Sequence, residues 1–233
     1  MLPSISAQII KLQVGSVRSL DSDAYSAKPW TTGFFKEAVD GPLWLSVPSA
    51  DGTRAALPGD AQADLEFHGG PEKAVCVYPA EHYPFWRQEL NLDPFHFGAF
   101  GENFTLAGLT EEQVCIGDIY SIGEGPDAPL LQVSQPRQPC WKLARRWNVK
   151  TLALQVQQTG KTGWYFRVLE ERMVAPNQTL TLVSRPHSEW PLSLANQIMH
   201  IDKHDLQASA QLANCSALSV SWKKTLSERA QKR

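Results

Sequence analysis

Eight short apolar runs, each closed off by turn-forming residues within a few positions, leave this chain few folds to choose from. They are "SAQIIKLQVGSVRSL", "TGFFKEAV", "PLWLSV", "KAVCVYP", "GDIYSIG", "PLLQVSQP", "GWYFRVLE" and "QTLTLVSRP". Runs of this length, rich in β-branched and aromatic residues, read as strands. In "AVDGPLWL" and "SIGEGPDAPLLQV", Gly, Asp and Pro supply turn geometry, so both read as hairpin connections. No regular strand–helix–strand alternation accompanies the runs. The expectation is therefore a closed or sandwiched, mostly-β domain.

Two stretches interrupt the strands with helical spacing. "PAEHYPFWRQEL" begins at a plausible cap, with Pro84 confined to the first turn or kinking it. "CWKLARRWNVKTLALQVQQTG" spaces Leu143, Trp147, Leu152 and Val156 as a helix would, ending at Gly160. After "VSRPHSEWP" the strand pattern stops. Leu194, Ile198 and Met199, then Leu206 and Leu212, then Trp222 and Leu226 suggest three short helices, with Asp202 and Ser221 as caps. The chain thus divides into a β domain, residues 1–186, and a helical tail, residues 187–233. A tail this small is expected to pack on the larger domain rather than fold alone. Its basic end, Lys223, Lys224, Arg229, Lys232 and Arg233, reads as a solvated face and a frayed terminus.

A length of 233 residues with 42% hydrophobic content is ample for a large core, and a net charge of -2 argues against a polyanion-binding surface. Nucleic acid is not an expected partner. The start shows neither a secretory pattern nor a cleavage site, and no apolar run reaches the roughly 20 residues of a membrane span. A cytoplasmic protein is expected, with no membrane partner. The four cysteines (Cys76, Cys115, Cys140, Cys215) form no CxxC pair and are too widely spaced for a structural zinc site. Cys76 and Cys115 lie in apolar runs and read as core.

Cys140 is different. In "QVSQPRQPCWKL" it follows two prolines in a polar turn, with Arg137 before it and Lys142 just beyond. Nearby cations favour the thiolate, the form that attacks electrophiles and binds soft metals. The residues alone leave nucleophile, metal ligand and packing accident open. "LEFHGGPEKAV" is the second unusual stretch: Gly69 and Gly70 permit positive φ and close approach to a ligand, and Lys73 adds a charge suited to an anion. An ordinary glycine turn, and a hydrogen-bonded structural role for His68, are the competing readings. In "AFGENFTLAGLTEEQVCIGDIY", Asn103 could donate to and accept from a planar heterocycle, or stabilise its own turn. His200 and His204 share a helical face only if that segment is helical, and no third ligand lies near them. GxSxG, Walker and GxGxxG motifs are absent, which argues against those hydrolase, nucleotide and dinucleotide readings.

In this order, "FHGGPEKAV", "FGENF" with "GLTE" and "VCIGD", and "QVSQPRQPCWKL" resemble the MOSC domain family, named after the C-terminal domain of molybdenum cofactor sulfurase. The chain is most similar to its YiiM branch. The resemblance runs from the first strand to "LVSRP", and the tail with "LSVSWKKTL" is similar to the three-helix domain that follows in that branch. It implies a MOSC-type β-barrel, at residues 1–186, that binds the molybdenum cofactor (molybdopterin) with Cys140 as the molybdenum ligand. It also implies His68, Gly69, Gly70 and Lys73 at the pterin phosphate or pyran region, Asn103 and Ser134 near the pterin, and Arg137 beside the thiolate. At family level it carries pyridoxal phosphate binding as well. Relatives reduce N-hydroxylated compounds, such as N-hydroxylated purine bases, to amines in a detoxification role; non-catalytic carriage of the cofactor or its sulfur is the alternative, and a metal-free thiol enzyme a further one. The implied reaction consumes two electrons and two protons and releases water. No flavin fingerprint or iron–sulfur spacing is present, so a separate reductase is implied as electron donor. The tail is expected to shape a substrate entrance or a contact between two copies, and to take no part in the metal site.

Overall fold

Alternation along two central strands sets the architecture. The computed structural model describes residues 5–23 and 25–231. In chain order its strands are β1 (Ser6–Val14), β2 (Arg18–Leu20), β3 (Trp30–Thr32), β4 (Glu37–Ala38), β5 (Leu43–Leu45), β6 (Val75–Pro79), β7 (Phe104–Ala107), β8 (Ile119–Ile122), β9 (Leu130–Pro136), β10 (Trp164–Glu170), β11 (Arg172–Val174) and β12 (Thr179–Ser184). Val75 and Val77 of β6 and Trp164, Phe166 and Val168 of β10 join the main apolar cluster. The residues between them, Cys76 and Tyr165, face the other way and sit opposite each other across the β6–β10 ladder. That outer face carries the site described below.

Seven strands close a barrel in the order β12-β8-β9-β10-β6-β7-β1, with β1 returning to β12, and β4 adds to β1 outside the ring. Closure removes the exposed edges that a sheet of this size would otherwise present. All neighbours are antiparallel except β6 and β7, which pair in parallel with Val77 opposite Phe104. A parallel pair needs a crossover, and helix α1 (Tyr83–Leu90) provides it. Pro84 sits in its first turn, as expected. "SIGEGPDAPLLQV" forms the β8–β9 hairpin. "AVDGPLWL" does not form one: β4 pairs with β1 while β5 pairs with β11, so the turn separates two sheets.

Bulges correct the simple alternation. On β1 the register slips between Ile9 and Lys11, which turns both Ile9 and Leu12 inward although they are three apart. On β9 Gln135 faces Tyr165 and Val133 faces Phe166, leaving Ser134 as the extra residue. The "IGD" turn has its own anchor. Asp118 is fully buried and accepts from the Cys115 backbone N–H and from two Arg185 nitrogens, at 2.7 to 2.9 Å.

The long helical stretch after Cys140 is two helices, α2 (Trp141–Trp147) and α3 (Leu152–Thr159), broken where Asn148 turns left-handed at φ 53°. The tail folds as α4 (Leu192–Asn196), which continues into a π-helical turn over Gln197–Ile201, then α5 (Leu206–Ala213) and α6 (Val220–Ala230). The caps differ from expectation by a few residues. Asp205 accepts from the Ala208 N–H and Ser219 from the Trp222 N–H, whereas Ser221 is no cap and Asp202 instead closes the C-terminal end of the π-helical turn. Leu192, Ile198, Leu212, Trp222 and Leu226 belong to the same apolar cluster as the barrel interior. The tail therefore shares the barrel's core. Lys232 and Arg233 lie outside the described residues.

Candidate functional site

A cavity lies against the outer face of the barrel and opens to solvent at its mouth. Cys76 and Tyr165 line it from β6 and β10, with Asn103 from the approach to β7. Arg137, Cys140 and Lys142 line it from the turn after β9, and His68, Gly69 and Lys73 from the glycine turn. Phe34 and Lys36, from the loop before β4, complete the wall.

The turn that presents Cys140 is rigid at both ends. The Arg137 N–H donates to the Gly163 carbonyl at 2.9 Å, and the Cys140 carbonyl accepts from the Leu143 N–H as α2 begins. Cys140 itself is half-buried, while Cys76, Cys115 and Cys215 are buried. Cys76, read as core from its strand, is better described as buried wall, and burial pushes its thiol up to about 11. It stays protonated at neutral pH. Cys115 does pack in the core, in an isolated β-bridge to Pro191 of the tail.

The electrostatics of the wall are one-sided. No Asp or Glu lines the cavity, yet four cations do. Lys36 is neutralised by buried Asp60, which also accepts from the Gly15 N–H at 3.0 Å. Lys73 donates only to the Phe67 carbonyl, at 2.7 Å. Among the described residues no carboxylate pairs with Lys73, Arg137 or Lys142. Arg137 is 5% exposed, its Nη1 has no hydrogen-bond partner, and its guanidinium carbon lies 5.7 Å from the centre of the Phe34 ring. An unpaired buried guanidinium is destabilising by several kcal/mol. His68 reflects the same field. Burial, followed by the facing Lys142 and Arg137 charges, pushes it down to about 4, and its buried Nδ1 has no partner. The cavity thus presents cations without carboxylate partners, a setting that suits an anion.

Those orphaned donors and the donor set fit the group implied by the sequence. A phosphorylated pterin would neutralise Arg137, Lys142 and Lys73, and Cys140 offers a soft sulfur ligand to its metal. Gly69 and Gly70 both adopt positive φ, 78° and 72°, as the glycine turn requires. Only Gly69 reaches the wall; Gly70 opens a short 3-10 turn over Pro71–Lys73.

Two assignments change. Ser134, placed near the pterin by resemblance, does not line the cavity. It is the bulge residue of β9: its hydroxyl faces the Glu72 and Tyr165 carbonyls at 2.6 and 3.2 Å, and its carbonyl accepts from the Ser219 N–H of the tail. Asn103 does line the cavity, but its amide is engaged. Its Oδ1 accepts from the Cys76 N–H at 3.1 Å and its Nδ2 donates to the Gln13 carbonyl at 3.2 Å, so it knits β6 to β1 beyond the end of β7. Lys36, Cys76 and Tyr165 carried no motif; the strand alternation of "KAVCVYP" and "GWYFRVLE" is the signal that turns the last two outward. Glu102 was also missed. Fully buried in "FGENF", it accepts from the Gly98 and Phe100 N–H groups and the Thr105 hydroxyl, holding that turn together. The structure brings His200 and His204 into no shared site: His200 is half-buried with its ring 6.2 Å from that of Trp222, and His204 is exposed. No group of three metal-ligating side chains exists among the described residues, and none of their helices is long and apolar enough to cross a membrane.

Known proteins place this architecture. The MOSC domain profile matches residues 64–181, and the profile of the YiiM-like 3-alpha helix domain matches residues 190–233. Protein YflK of Bacillus subtilis (strain 168) is 46% identical over 92% of this chain and 90% of its own. A protein named "Reductase" from Gibberella moniliformis (strain M3125 / FGSC 7600) is 35% identical over 81% of this chain, which spans 31% of the fungal protein. The crystal structure of YiiM from Geobacillus stearothermophilus superposes with a TM-score of 0.76 at 36% identity, covering 96% of this chain and 99% of that one. Barrel and helical tail each match a known profile in the order found here: this chain belongs to the MOSC domain family and ends in its YiiM-like three-helix domain.

Proposed function

We propose that this protein is a molybdenum-cofactor-dependent reductase of N-hydroxylated compounds, such as N-hydroxylated purine bases, converting them to the amines. The observation that carries this reading is buried Arg137, unpaired and beside Cys140 in a cavity without a single carboxylate. When bound there, the cofactor supplies a two-electron redox centre. The chain's own residues do the rest. Cys140 Sγ holds the metal, while Arg137, Lys142 and Lys73 hold the phosphate and balance its charge. His68, neutral while the cavity is cationic, gains basicity at its unpartnered Nδ1 once an anion enters, and is positioned to move one of the two protons that the reaction consumes. The Tyr165 phenol, pushed up by burial, remains a hydrogen-bond donor.

Reduction of R–NHOH to R–NH₂ takes two electrons and two protons and releases water. The chain carries no motif for an electron-delivering cofactor, so a separate reductase supplies the electrons. The name of the fungal relative supports a redox role, and a cytoplasmic setting suits four free thiols. The test is purification from a cofactor-competent host, metal analysis, and reduction of 6-hydroxylaminopurine driven by reduced viologen dye. About one molybdenum per chain with turnover is expected. Metal without turnover of any N-hydroxylated compound would favour a carrier, and activity without metal would point to a thiol enzyme.

A further inference from the structure

A second, wider groove opens directly from the cavity. It shares His68, Lys73, Gln138, Cys140 and Tyr165 with it, so whatever occupies the groove can present an atom to the Cys140 thiol. Two large aromatic side chains line this groove in the open: Phe67 is 61% exposed and Trp141 is 50% exposed. Aromatic surface held open in a groove that runs into a buried site is suited to a flat ligand ring. Trp141 is also braced. One side of its ring meets Trp30, with centroids 5.6 Å apart, and Lys142 Nζ sits 5.8 Å from its centroid. Phe67 is tied to the cofactor side through its carbonyl, which holds Lys73 Nζ.

The far wall of the groove is α6 of the tail, through Ser221 and Lys224. This helix is fixed to the barrel. The Ser221 hydroxyl donates to Gln135 Oε1 at 3.2 Å, and the Val220 N–H donates to the Glu72 carboxylate at 3.0 Å. The charges around the groove are mixed, Asp64, Glu66 and Glu228 against Lys73 and Lys224. Such a rim does not favour a second anion, in contrast to the acid-free cavity beneath it.

We infer that this groove binds the planar heteroaromatic ring of the substrate, with Phe67 and Trp141 as specificity-determining residues and α6 as the wall that bounds it. The occupant is an uncharged, nucleobase-sized ring rather than a nucleotide or an aliphatic hydroxylamine. This inference rests on the reductase reading for its N–OH group, but not for the ring site itself. Stacking on an aromatic side chain changes affinity by about tenfold per base.

The test uses the full-length, molybdenum-loaded protein and the variants Trp141→Ala, Trp141→Phe and Phe67→Ala. Viologen-driven reduction of 6-hydroxylaminopurine is compared with that of N-methylhydroxylamine, and adenine binding is measured by calorimetry. The expected result for Trp141→Ala is a roughly tenfold higher KM for the purine and a similarly weaker adenine Kd. Its kcat, its molybdenum content and its KM for N-methylhydroxylamine should stay at wild-type values. Trp141→Phe should restore most of the loss, and Phe67→Ala, at a position too exposed to disturb folding, should reproduce part of it. Unchanged KM and Kd in both alanine variants, equal losses for the two substrates, or losses seen only with a protein electron donor would each overturn the ring site. Weakened adenine binding without turnover of any N-hydroxylated compound would leave the ring site standing and remove the reductase reading instead.

Discussion

Arg137 is the residue whose energetics bear most directly on the site. Its guanidinium is buried, has no carboxylate partner and leaves Nη1 without an acceptor, so in the cofactor-free protein it is a liability. Replacing it with Met, which fills similar volume without charge, should raise the stability of the cofactor-free protein by about 1–4 kcal/mol. The same change should cost the purified protein most of its molybdenum. Denaturant unfolding and metal analysis of one preparation check both halves, and a destabilised variant would mean that Arg137 is a structural residue. The two wall cysteines should separate in the opposite sense. Cys140→Ala is expected to remove activity with a near-unchanged midpoint, whereas Cys76→Ala should keep activity and lose about 1 kcal/mol, typical of a buried truncation. That Cys140, Arg137, His68 and Lys73 line one cavity was legible only through the family resemblance, since the residues alone left an ordinary glycine turn and a structural histidine open. Ser134 was not, because nothing in "QVSQP" distinguishes a bulge residue from a site residue; only the pairing of β9 with β10 does.

At the scale of elements, strands whose apolar alternation extends over several residues were readable, and short ones were not. The runs for β1, β6, β8, β9, β10 and β12 stand out, while β3 and β11 are three residues each and borrow their conformation from a partner strand. β7 was hidden behind the turn signals of "FGENF". The helix after Cys140 divides because Asn148 tolerates the left-handed conformation, a choice made by packing rather than by spacing. The tail's π-helical turn is similarly tertiary: Arg229 donates to the carbonyls of Ile198 and Met199, at 2.8 and 2.9 Å, and satisfies the groups that the wider turn frees. Within that turn, burial and the nearby Lys203 and Arg229 charges push His200 down to about 4, and its Nε2 has no partner. The unfolded chain takes up this proton near pH 6.5 and the folded chain only near 4. Stability contributed by neutral His200 is therefore complete above about 6.5 and falls as pH drops through that window, by up to about 1.4 kcal/mol per unit. His68 titrates in the same direction. His200→Gln should flatten part of the acid limb of a stability-versus-pH curve; an unchanged slope between pH 6.5 and 4.5 would show that the proton is not excluded there.

The whole molecule is less divisible than its sequence. A change of pattern near residue 186 and the two family profiles both suggest a barrel followed by a small appendage. The closed barrel could be expected from its many strands, but the shared core could not, since apolar spacing says which face is buried and not against what. Two features bind the parts. The apolar cluster runs without a break from Val114 and Leu131 of the barrel to Leu212 and Trp222 of the tail. Glu72, next to the cavity-lining Lys73, accepts from Arg167 at 2.8 and 3.0 Å and from the Val220 N–H, while Arg167 also donates to the Ala217 carbonyl at 2.7 Å. Truncation after Arg185 would uncover that cluster and leave Arg167 without one of its acceptors. The expected outcome is an insoluble or molten barrel, contrary to a tail with no part in the site. A gentler change tests the coupling in an intact fold. Glu72→Gln keeps the shape but weakens a half-buried, bidentate ion pair, so a loss of about 1–2 kcal/mol is expected. Faster hydrogen exchange should appear in two places at once, the first turn of α6 and the glycine turn at 68–73, with a weaker hold on molybdenum. Exchange that rises in the tail alone would show that the helical domain sits on the barrel without supporting the cavity.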